Sequence, residues 1–415
     1  MNVKKVLIIG LVWPEPTSSA AGTRIIQLVQ MFLSAGYAVT FASAASKSEF
    51  SFDLPGIGAM EQEISLNNDS FNSFLTVLEP DLVVFDRFMT EEQYGWRVRQ
   101  ECKDAVCILD TEDLHCLRYA RQQAVKTGRG FNAADLFNDL AKRELAAIWR
   151  CDFSLMISEV EMEILKTVFR VDASLIYYLP FLEEQISDQD MVKWKDFEKR
   201  EGFVFIGNFL HEPNWNTLQV IKTEIWPALK KKLPAAVMHI YGSYASQKVM
   251  QLHQPKDNFL VHGRAEDAGE AIGRHKVLLA PILFGAGLKG KFIDAMKAGT
   301  PTVTTPAGAE AMKGDFEWNG RITADLKLFT SYASELYQDK KLWLESQQNG
   351  VRMVNGRYNK SRYITAFIEK IDALSAGLSA HRQHNFFGQV LQYHTANSTK
   401  YMSLWIEEKN KGKQP

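Results

Sequence analysis

The sequence has few cysteines, no long apolar run and almost no net charge, and each of these absences excludes a class of protein. Its four cysteines lie between positions 102 and 151 of 415 residues, so they cannot form a disulfide framework for the whole chain, and they lack zinc spacing. No apolar stretch is long enough to span a bilayer. Because the net charge is −1, no overall field draws the chain to nucleic acid. We therefore expect a cytoplasmic protein that binds no nucleic acid.

Two ligand-binding motifs are also missing from the positions where they would indicate a site: Asp-x-Asp for metals at the end of a predicted strand, and GxGxxG for dinucleotides after the first predicted strand. Asp188-Gln189-Asp190 has the spelling of a metal-binding Asp-x-Asp motif but lies in a polar connection and not at a strand end. Residues 16–25 follow the first predicted strand but lack the GxGxxG spacing of a dinucleotide site. We therefore expect no metal site and no bound cofactor.

The sequence is rich in short apolar runs that alternate with amphipathic helices. Continuous apolar runs of this length are typical of parallel strands covered on both faces. The predicted strands cover residues 6–9, 38–42, 82–85, 106–109, 153–157 and 175–178, and then residues 203–206, 237–241, 259–262, 277–280 and 302–304. We predict an α/β protein with two doubly wound Rossmann-like domains facing a central cleft, since the chain is too long for one core. The domains would be residues 1–182 and 203–376, and a helical tail at 377–415 would pack back on the body.

The strongest functional signal lies at residues 281–310. The predicted strand 277–280 runs into a loop that carries Gly285, Gly287 and Gly290, and a helix is predicted at 291–298. Lys289 and Lys291 belong to the same stretch. Flexible backbone, two ammonium groups and a helix N-terminus favour a bound diphosphate over the alternative of solvated surface lysines.

These residues resemble a known family. Residues 284–310 are similar to the donor-binding signature of the family 4 retaining glycosyltransferases, which have the GT-B fold; their sequence is FGAGLKGKFIDAMKAGTPTVTTPAGAE. Three further segments resemble other parts of the family in matching order: FIGNFLHEPNWNTL, DNFLVHGRAED and WRCDFSLMISEVEMEIL. The resemblance implies a metal-independent transferase of the hexosyltransferase type. Family members commonly carry two glutamates around the glycine loop, and here those positions are Ala286 and Asp294.

The resemblance implies a donor site built mainly by the second domain. Asp294 would accept hydrogen bonds from ribose hydroxyls, and Arg264 would line the base pocket. The ordinary alternatives are an exposed helix charge for Arg24 and a strand-to-loop turn for Gly207 and Asn208. The full set of implied donor-binding residues is Gly22, Arg24, Gly207, Asn208, Arg264, Phe284, Gly285, Gly287, Leu288, Lys289, Lys291 and Asp294.

A dense polar cluster follows the predicted strand 106–109, at an edge where open α/β sheets bind ligands. Its members are Asp110, Glu112, Asp113, His115 and Arg118. Relatives often present a His-Asp pair at a similar strand end. Strand register would place that pair on Glu112 and Asp113, whereas residue type points to His115. These three residues are catalytic candidates, together with Lys289, which would neutralise the leaving diphosphate.

The expected activity is transfer of a sugar from a nucleotide-diphosphate-sugar donor to a hydroxyl acceptor, with retention of anomeric configuration. The acceptor would be a glycan, a lipid-linked molecule or another alcohol, as in cell-surface polysaccharide biosynthesis, and contact with the inner membrane would be peripheral.

Two alternative functions stay open. A GT-B sugar-nucleotide epimerase would turn over its donor alone, and a non-catalytic GT-B scaffold is favoured by Ala286. The apolar residues of 401–408 predict a tail helix, and they favour its packing on the body over the alternative of docking on a partner or membrane surface.

Overall fold

Seven parallel strands form the first sheet of the computed structural model, which describes residues 3–393 together with residues 401, 402, 405 and 409. The strands are β1 (Lys5–Gly10), β2 (Ala38–Ser43), β3 (Met60–Glu63), β4 (Leu82–Asp86), β5 (Val106–Asp110), β6 (Phe153–Met156) and β7 (Ile176–Tyr178), in the spatial order β3-β2-β1-β4-β5-β6-β7. The direction of winding reverses between β1 and β4. The loops that follow these two strands therefore diverge and open a crevice at the carboxyl edge of the sheet.

The second sheet repeats this plan with six parallel strands. They are β8 (Phe203–Ile206), β9 (Met238–Tyr241), β10 (Phe259–Gly263), β11 (Val277–Ala280), β12 (Thr302–Thr304) and β13 (Gly320–Ile322), in the order β10-β9-β8-β11-β12-β13. Winding reverses between β8 and β11, so the second crevice opens beside the glycine loop. The prediction of two doubly wound domains is confirmed.

Helices cover both faces of each sheet, which is why the strands read as continuous apolar runs. They are α1 (Ala20–Ser34), α2 (Ser70–Leu78), α3 (Arg87–Glu101), α4 (His115–Lys126), α5 (Asp139–Arg150), α6 (Glu159–Thr167), α7 (Asp188–Val192), α8 (Glu212–Val220), α9 (Trp226–Lys232), α10 (Gln247–Met250), α11 (Ala268–Gly273), α12 (Gly290–Lys297), α13 (Pro306–Ala309), α14 (Leu326–Gln338), α15 (Lys340–Met353), α16 (Ile364–Ala376), α17 (Leu378–His384) and α18 (Phe386–Gln392). Five-residue π-helical segments, Ile221–Ile225 and Val354–Tyr358, follow α8 and α15. Within the described residues, no helix has both the length and the apolar character needed to cross a bilayer.

Two strands are absent from the predicted set, and both lie at sheet edges. β3 has the sequence MEQE and is partly exposed along its length, whereas β13 is only three residues long. An edge strand has one neighbour and does not need a continuous apolar sequence, so hydrophobic runs do not reveal it. Helix α1 begins at Ala20, because the Ser19 side chain accepts a hydrogen bond from the Gly22 amide (3.1 Å) and caps the helix there.

The end of the chain returns to the first domain. Phe367, Ile371 and Leu374 of α16 are buried in the core cluster that contains Val6 and Ile8 of β1. The range 203–376, predicted as one domain, therefore includes a helix that belongs to the core of the other domain. The apolar stripe of an amphipathic helix shows that it packs but does not identify the surface that it covers.

The two helices after α16 also lie on the first domain. Arg382 of α17 pairs with Asp152 (2.7 Å), and Asn385 donates to the carbonyl of Trp149 (2.7 Å). In the tail helix predicted at 401–408, residues 403, 404 and 406–408 lie outside the described residues. Tyr401, Met402 and Trp405 are exposed, so packing of the tail on the body stays a prediction.

Candidate active site

The loop after β11, residues 281–289, lies directly against the first domain. The Gly287 amide donates a hydrogen bond to Glu161 Oε1 of α6 (2.5 Å). Arg121 of α4 crosses the cleft to form two hydrogen bonds with Glu310 (2.6 and 2.8 Å) and one with the carbonyl of Gly285 (2.8 Å). The cleft is therefore closed around the glycine loop.

Gly287 has two reasons to be glycine. Its φ of +61° lies in the left-handed region, and a Cβ built there would be 2.8 Å from the Cβ of Asp113. A Cβ at Gly285 would meet only Lys289 Cε, at 3.6 Å. Gly22 also permits a close approach, because a Cβ there would lie 2.4 Å from the carbonyl oxygen of Glu15.

The two lysines of the loop are held near its backbone. Lys289 is the N-cap of α12, and its Nζ donates to the carbonyl of Gly287 (2.8 Å). Lys291 Nζ donates to Asn214 Oδ1 (2.6 Å) and lies 4.4 Å from the centroid of the Phe205 ring. Burial lowers the pKa of both ammonium groups, that of Lys291 to about 7. No carboxylate of the described residues lies within ion-pairing distance of either lysine, although Glu310 and Glu161 act on Lys289, and Asp294 acts on Lys291, from farther away. A bound anion would favour the charged form of both ammonium groups.

Asp294 lies one turn into α12. Burial raises the pKa of its carboxyl group to about 7. The carboxylate makes no hydrogen bond to another described residue, which leaves it free to accept one from a ligand. Its assignment to ribose hydroxyls stays a prediction.

Arg24 is placed inside the first domain. Its guanidinium bonds to Asp110 at the end of β5 (Nε–Oδ1 2.9 Å) and to the carbonyl of Leu179 (2.8 Å). Arg24 and Asp110 are both fully buried. The pair fixes α1 to the carboxyl edge of the sheet, and this geometry does not favour the predicted contact of Arg24 with a phosphate.

The remaining members of the polar cluster divide into two groups. Asp113 pairs with Arg118, and its Oδ1 lies 3.4 Å from His115 Nε2. Burial opposes ionisation of Asp113, but Arg118 and His115 outweigh it and hold the pKa at about 2. Burial lowers the pKa of His115 to about 4. At neutral pH the site therefore presents an ionised aspartate beside a neutral imidazole.

Glu112 differs from its neighbours. It has a left-handed backbone (φ +61°), and its buried Oε1 has no partner in the described part of the chain. Burial raises the pKa of this carboxyl group well above its usual value. Of the two registers left open by the sequence, the structure brings Asp113 and His115 together, while Glu112 stands apart from both in its hydrogen bonding.

Two glutamates that the sequence did not single out support these groups. The carboxylate of Glu144, on α5, accepts hydrogen bonds from the amides of His115 and Cys116 (both 2.7 Å). It therefore caps α4, whose N-cap residue Leu114 offers no side-chain acceptor. Glu161 is fully buried, and burial raises its pKa to about 8. Its Oε2 has no partner among the described residues.

The position of Glu161 in the sequence conceals its role. Ser158-x-x-Glu161 has the spelling of a capping box, in which the glutamate bonds back to the N-cap amide. Here Ser158 does cap α6, with a bond of 3.4 Å from the Glu161 amide. The Glu161 carboxylate instead reaches the second domain, which only the assembled fold reveals.

The second domain contributes the other predicted positions at the ends of β8 and β10. Gly207 and Asn208 form a turn in which Asn208 Oδ1 accepts a bond from the Leu210 amide (2.9 Å). Arg264 crosses the cleft, where its guanidinium bonds to Ser18 Oγ (2.6 Å) and lies 3.4 Å from the centroid of the Phe50 ring.

A cavity of about 190 Å³ lies in the cleft beside His115, between α4 and the start of α8. Phe284, which is buried like Leu288, forms part of its wall. The lining residues are His115, Arg118, Tyr119, Gln122, Leu140, His211, Glu212, Pro213 and Phe284. Both domains line the cavity, so a molecule bound there would contact both.

Comparison with known proteins gives a partial match by sequence. Residues 200–339 match the family described as glycosyl transferases group 1. This group 1 segment runs from the start of β8 to the end of α14 and is less than half of the chain. No curated protein matches the sequence.

Solved structures resemble nearly the whole chain. Sucrose-phosphate synthase from Thermosynechococcus elongatus superposes with a TM-score of 0.67 at 13% identity, over 90% of this chain and 100% of the other. HepE from Anabaena, in complex with UDP and glucose, gives 0.67 at 12% identity over 89% and 100%. A glycosyltransferase from Rickettsia africae gives 0.64 at 9% identity over 90% and 99%. The fold is therefore GT-B, as predicted.

The group 1 segment contains only part of the candidate site. Gly207, Asn208, Arg264 and all the residues of the glycine loop and α12 lie within it. Gly22, Arg24, Glu112, Asp113 and His115 lie outside it, in the first domain. Among the described residues no group of three or more histidines, cysteines or carboxylates is arranged to hold a metal ion, and metal independence of the reaction stays a prediction.

Proposed function

We propose that the protein is a retaining glycosyltransferase that moves a sugar from a nucleotide-diphosphate donor to a hydroxyl acceptor without a metal. The observation that carries the proposal is the pair of half-buried lysines at the glycine loop. Lys289 and Lys291 lie inside the group 1 segment, at the start of α12, and neither forms an ion pair in the described part of the chain. Glu310 and Glu161 act on Lys289, and Asp294 acts on Lys291, from beyond ion-pairing distance. Two half-buried lysines that are not directly paired, beside a helix N-terminus, suit a diphosphate.

The reaction would depend on stabilising the leaving diphosphate. The bond between the sugar C1 and the phosphate oxygen breaks, the acceptor oxygen bonds to C1, and the acceptor's proton passes to the diphosphate. Lys289 and Lys291 would exchange their bonds to Gly287 O and Asn214 Oδ1 for bonds to phosphate oxygens. The sugar would lie between the glycine loop and the Asp113–His115 pair, with the acceptor in the cavity beside His115.

The decisive experiment is a product assay with UDP-, GDP-, ADP- and TDP-sugars against a panel of glycan and lipid-linked alcohols, with and without EDTA. UDP-sugars are the first to test, because the Anabaena neighbour was solved with UDP and glucose. We expect one nucleotide to support transfer in EDTA and Lys289→Ala to abolish it. Lys313→Ala, which changes an exposed lysine, is the matched control. Equal activity of the two variants would refute the proposed site.

The same assay separates the two alternatives. Donor turnover without any acceptor would indicate an epimerase or hydrolase. Donor binding without turnover would indicate a scaffold, the class that Ala286 favours. In this structure Ala286 is buried in a core cluster of the first domain, and the comparisons favour neither alternative. We place the activity in the cytoplasm, at most peripheral to the inner membrane, in cell-surface glycan assembly.

A further inference from the structure

A second cavity, of about 170 Å³, lies on the first domain. Asp152, which lines it, immediately precedes β6 and accepts a hydrogen bond from the Cys107 amide (2.8 Å). The cavity is therefore at the amino edge of the sheet, opposite the cleft. The ends of α3 and α5 form one side and α17 and α18 form the other. None of the proposed donor or acceptor groups contributes to it.

The lining of this cavity carries an excess of positive charge. Its ionisable oxygen and nitrogen groups are four cations, Arg99, Lys103, Arg150 and Arg382, and one carboxylate, Asp152. Arg382 and Asp152 neutralise each other through two hydrogen bonds, Nε–Oδ1 (2.7 Å) and Nη2–Oδ2 (2.8 Å). Three cations remain.

A single carboxylate serves two of these three cations. Glu91 accepts from Arg99 Nη2 (2.9 Å) and from Arg150 Nη2 (2.5 Å). Lys103 is exposed and forms no ion pair in the described part of the chain. Asp104, next to Lys103, adds a second negative charge, which acts on Arg382. Two negative charges therefore face three positive charges around a partly enclosed space.

Several N–H groups around the cavity also lack acceptors. Arg99 Nη1 is buried without a partner among residues 3–393, whereas Arg150 Nη1 and Lys103 Nζ donate to no described residue and are open to solvent. Arg99 and Arg150 lie in the last turns of α3 and α5, where helix dipoles favour cations. The dipoles account for the sign of these two charges but not for Lys103 or for the missing acceptors.

We propose that this cavity binds a phosphate-like oxyanion. Guanidinium and ammonium groups are the usual phosphate ligands, and the oxyanion would supply the missing acceptors. A volume of 170 Å³ equals that of several water molecules of about 30 Å³ each, which is room for a phosphate group. The bound group would bridge α3 and α5 to α17 and α18, and so hold the end of the chain on the first domain. Free phosphate and a phospholipid headgroup share this chemistry.

The test is thermal unfolding and calorimetric titration of the full chain with inorganic phosphate, at constant ionic strength set by chloride. All variants are made in the Lys289→Ala background, which weakens phosphate binding at the proposed donor site and leaves any remaining donor-site signal the same in every variant. We expect phosphate to raise the Tm of this parent, and Lys103→Gln and Arg150→Gln each to weaken the apparent Kd about tenfold. Lys166→Gln, at an exposed lysine of α6, is the matched control.

Each outcome decides the proposal. Because Lys103 is exposed, Lys103→Gln folds even if Arg150→Gln does not. A phosphate response that is the same in Lys103→Gln and Lys166→Gln overturns the site, as does the absence of any response. Flotation with vesicles then identifies the source of the group. Binding to phosphatidic acid but not to phosphatidylcholine, lost in Lys103→Gln, assigns a lipid headgroup, whereas phosphate binding without flotation assigns the free anion.

Discussion

The carboxyl group of Glu161 lies at the amide where the glycine loop is expected to meet a donor phosphate. It accepts the Gly287 N–H (2.5 Å), and burial raises its pKa to about 8. Below that pH the Glu161 carboxyl group is mostly protonated. It can then accept the N–H without placing a negative charge of its own beside the negatively charged diphosphate. The residue belongs to the first domain, and its contact therefore depends on closure of the cleft.

Removal of this side chain should weaken the closed state. Glu161→Ala leaves the buried Gly287 amide without an acceptor, at a cost of about 1–3 kcal/mol. We expect a lower Tm and weaker donor binding, whereas Glu161→Gln retains an acceptor and most of the binding. The measurements are thermal unfolding and donor titration. Glu163→Ala, at an exposed glutamate of the same helix, is the control, and Glu161→Ala behaving like it would contradict the assignment.

The lowered pKa of Lys291 predicts the pH dependence of donor binding. The ammonium group loses its proton as the pH rises through about 7, and Asp294, whose pKa is also about 7, gains negative charge over the same range. Both changes weaken the attraction for a diphosphate. We expect affinity to fall between pH 7 and 9, by at most about tenfold per pH unit for each proton linked to binding.

Titration calorimetry across this range checks the prediction. Lys291→Arg keeps its charge at every pH in the range, so its affinity should fall less steeply than that of the wild type. Asp294→Asn should remove the carboxylate contribution. An affinity of the wild type that is constant from pH 7 to 9 would show that neither group titrates beside the bound diphosphate.

Residue types predicted the glycine loop and its lysines because glycine, lysine and a helix start leave a local signature. Glu144 and Glu161 leave none, since their partners are 28 and 126 residues away in the chain. Arg24 was assigned to the donor site by the family resemblance, with an exposed charge on a helix as the alternative. Its buried partner Asp110 lies 86 residues away, a distance that local sequence does not reveal.

At the scale of elements, the loop between β11 and α12 depends on one glycine more than on its neighbours. Gly287 combines a positive φ with a close approach to Asp113. Gly285 has neither a positive φ nor a close contact at its Cβ position. Gly290, at the start of α12, also lies close to the first domain, since a Cβ there would be 2.8 Å from the Cβ of Ala20. Gly287 is the position where contact with the first domain and a left-handed backbone coincide.

Alanine substitutions should distinguish the two glycines. Gly287→Ala introduces backbone strain of about 1–2 kcal/mol and a clash with Asp113, so we expect loss of transfer activity and a more open cleft. Gly285→Ala should keep most of the activity, because its Cβ has room. Product assays and small-angle scattering measure the two effects. Equal activity of the two variants would show that the loop does not close on the first domain during turnover.

At the scale of the molecule, the chain crosses between the domains twice. The first crossing contains Glu183, whose amide donates to the carbonyl of Tyr358 (2.7 Å) on the second crossing, while Lys360 donates back to Glu183 O (2.8 Å). Two chain segments therefore run side by side at the junction.

Loss of the α16 contact should destabilise the first domain selectively. Phe367 is fully buried in that core, and Phe367→Ala is expected to cost about 3–5 kcal/mol. Phe386→Ala, at a residue that is 66% exposed, should change stability by less than about 0.5 kcal/mol. Calorimetry with donor nucleotide present is expected to separate the two domains, since the proposed donor site belongs mainly to the second. Equal stability of the two variants would contradict the assignment of α16 to the core of the first domain.

The overall architecture was predictable because parallel strands covered on both faces are apolar along their length. The sequence contains eleven such short apolar runs in order, and each corresponds to a strand. The destination of α16 was not predictable, because its apolar stripe would suit either domain. Interdomain pairs such as Arg121–Glu310 were also beyond prediction, since each partner alone is an ordinary surface charge.

The return of α16 determines the order in which the domains are completed during synthesis. The ribosome finishes the last strand of the first sheet at Tyr178, but Phe367 emerges about 190 residues later, roughly 10 to 40 s at usual elongation rates. Every strand of the second domain is made in that interval. The domain made first is therefore the last to close its core, and until then it presents to chaperones the apolar surface that α16 will cover.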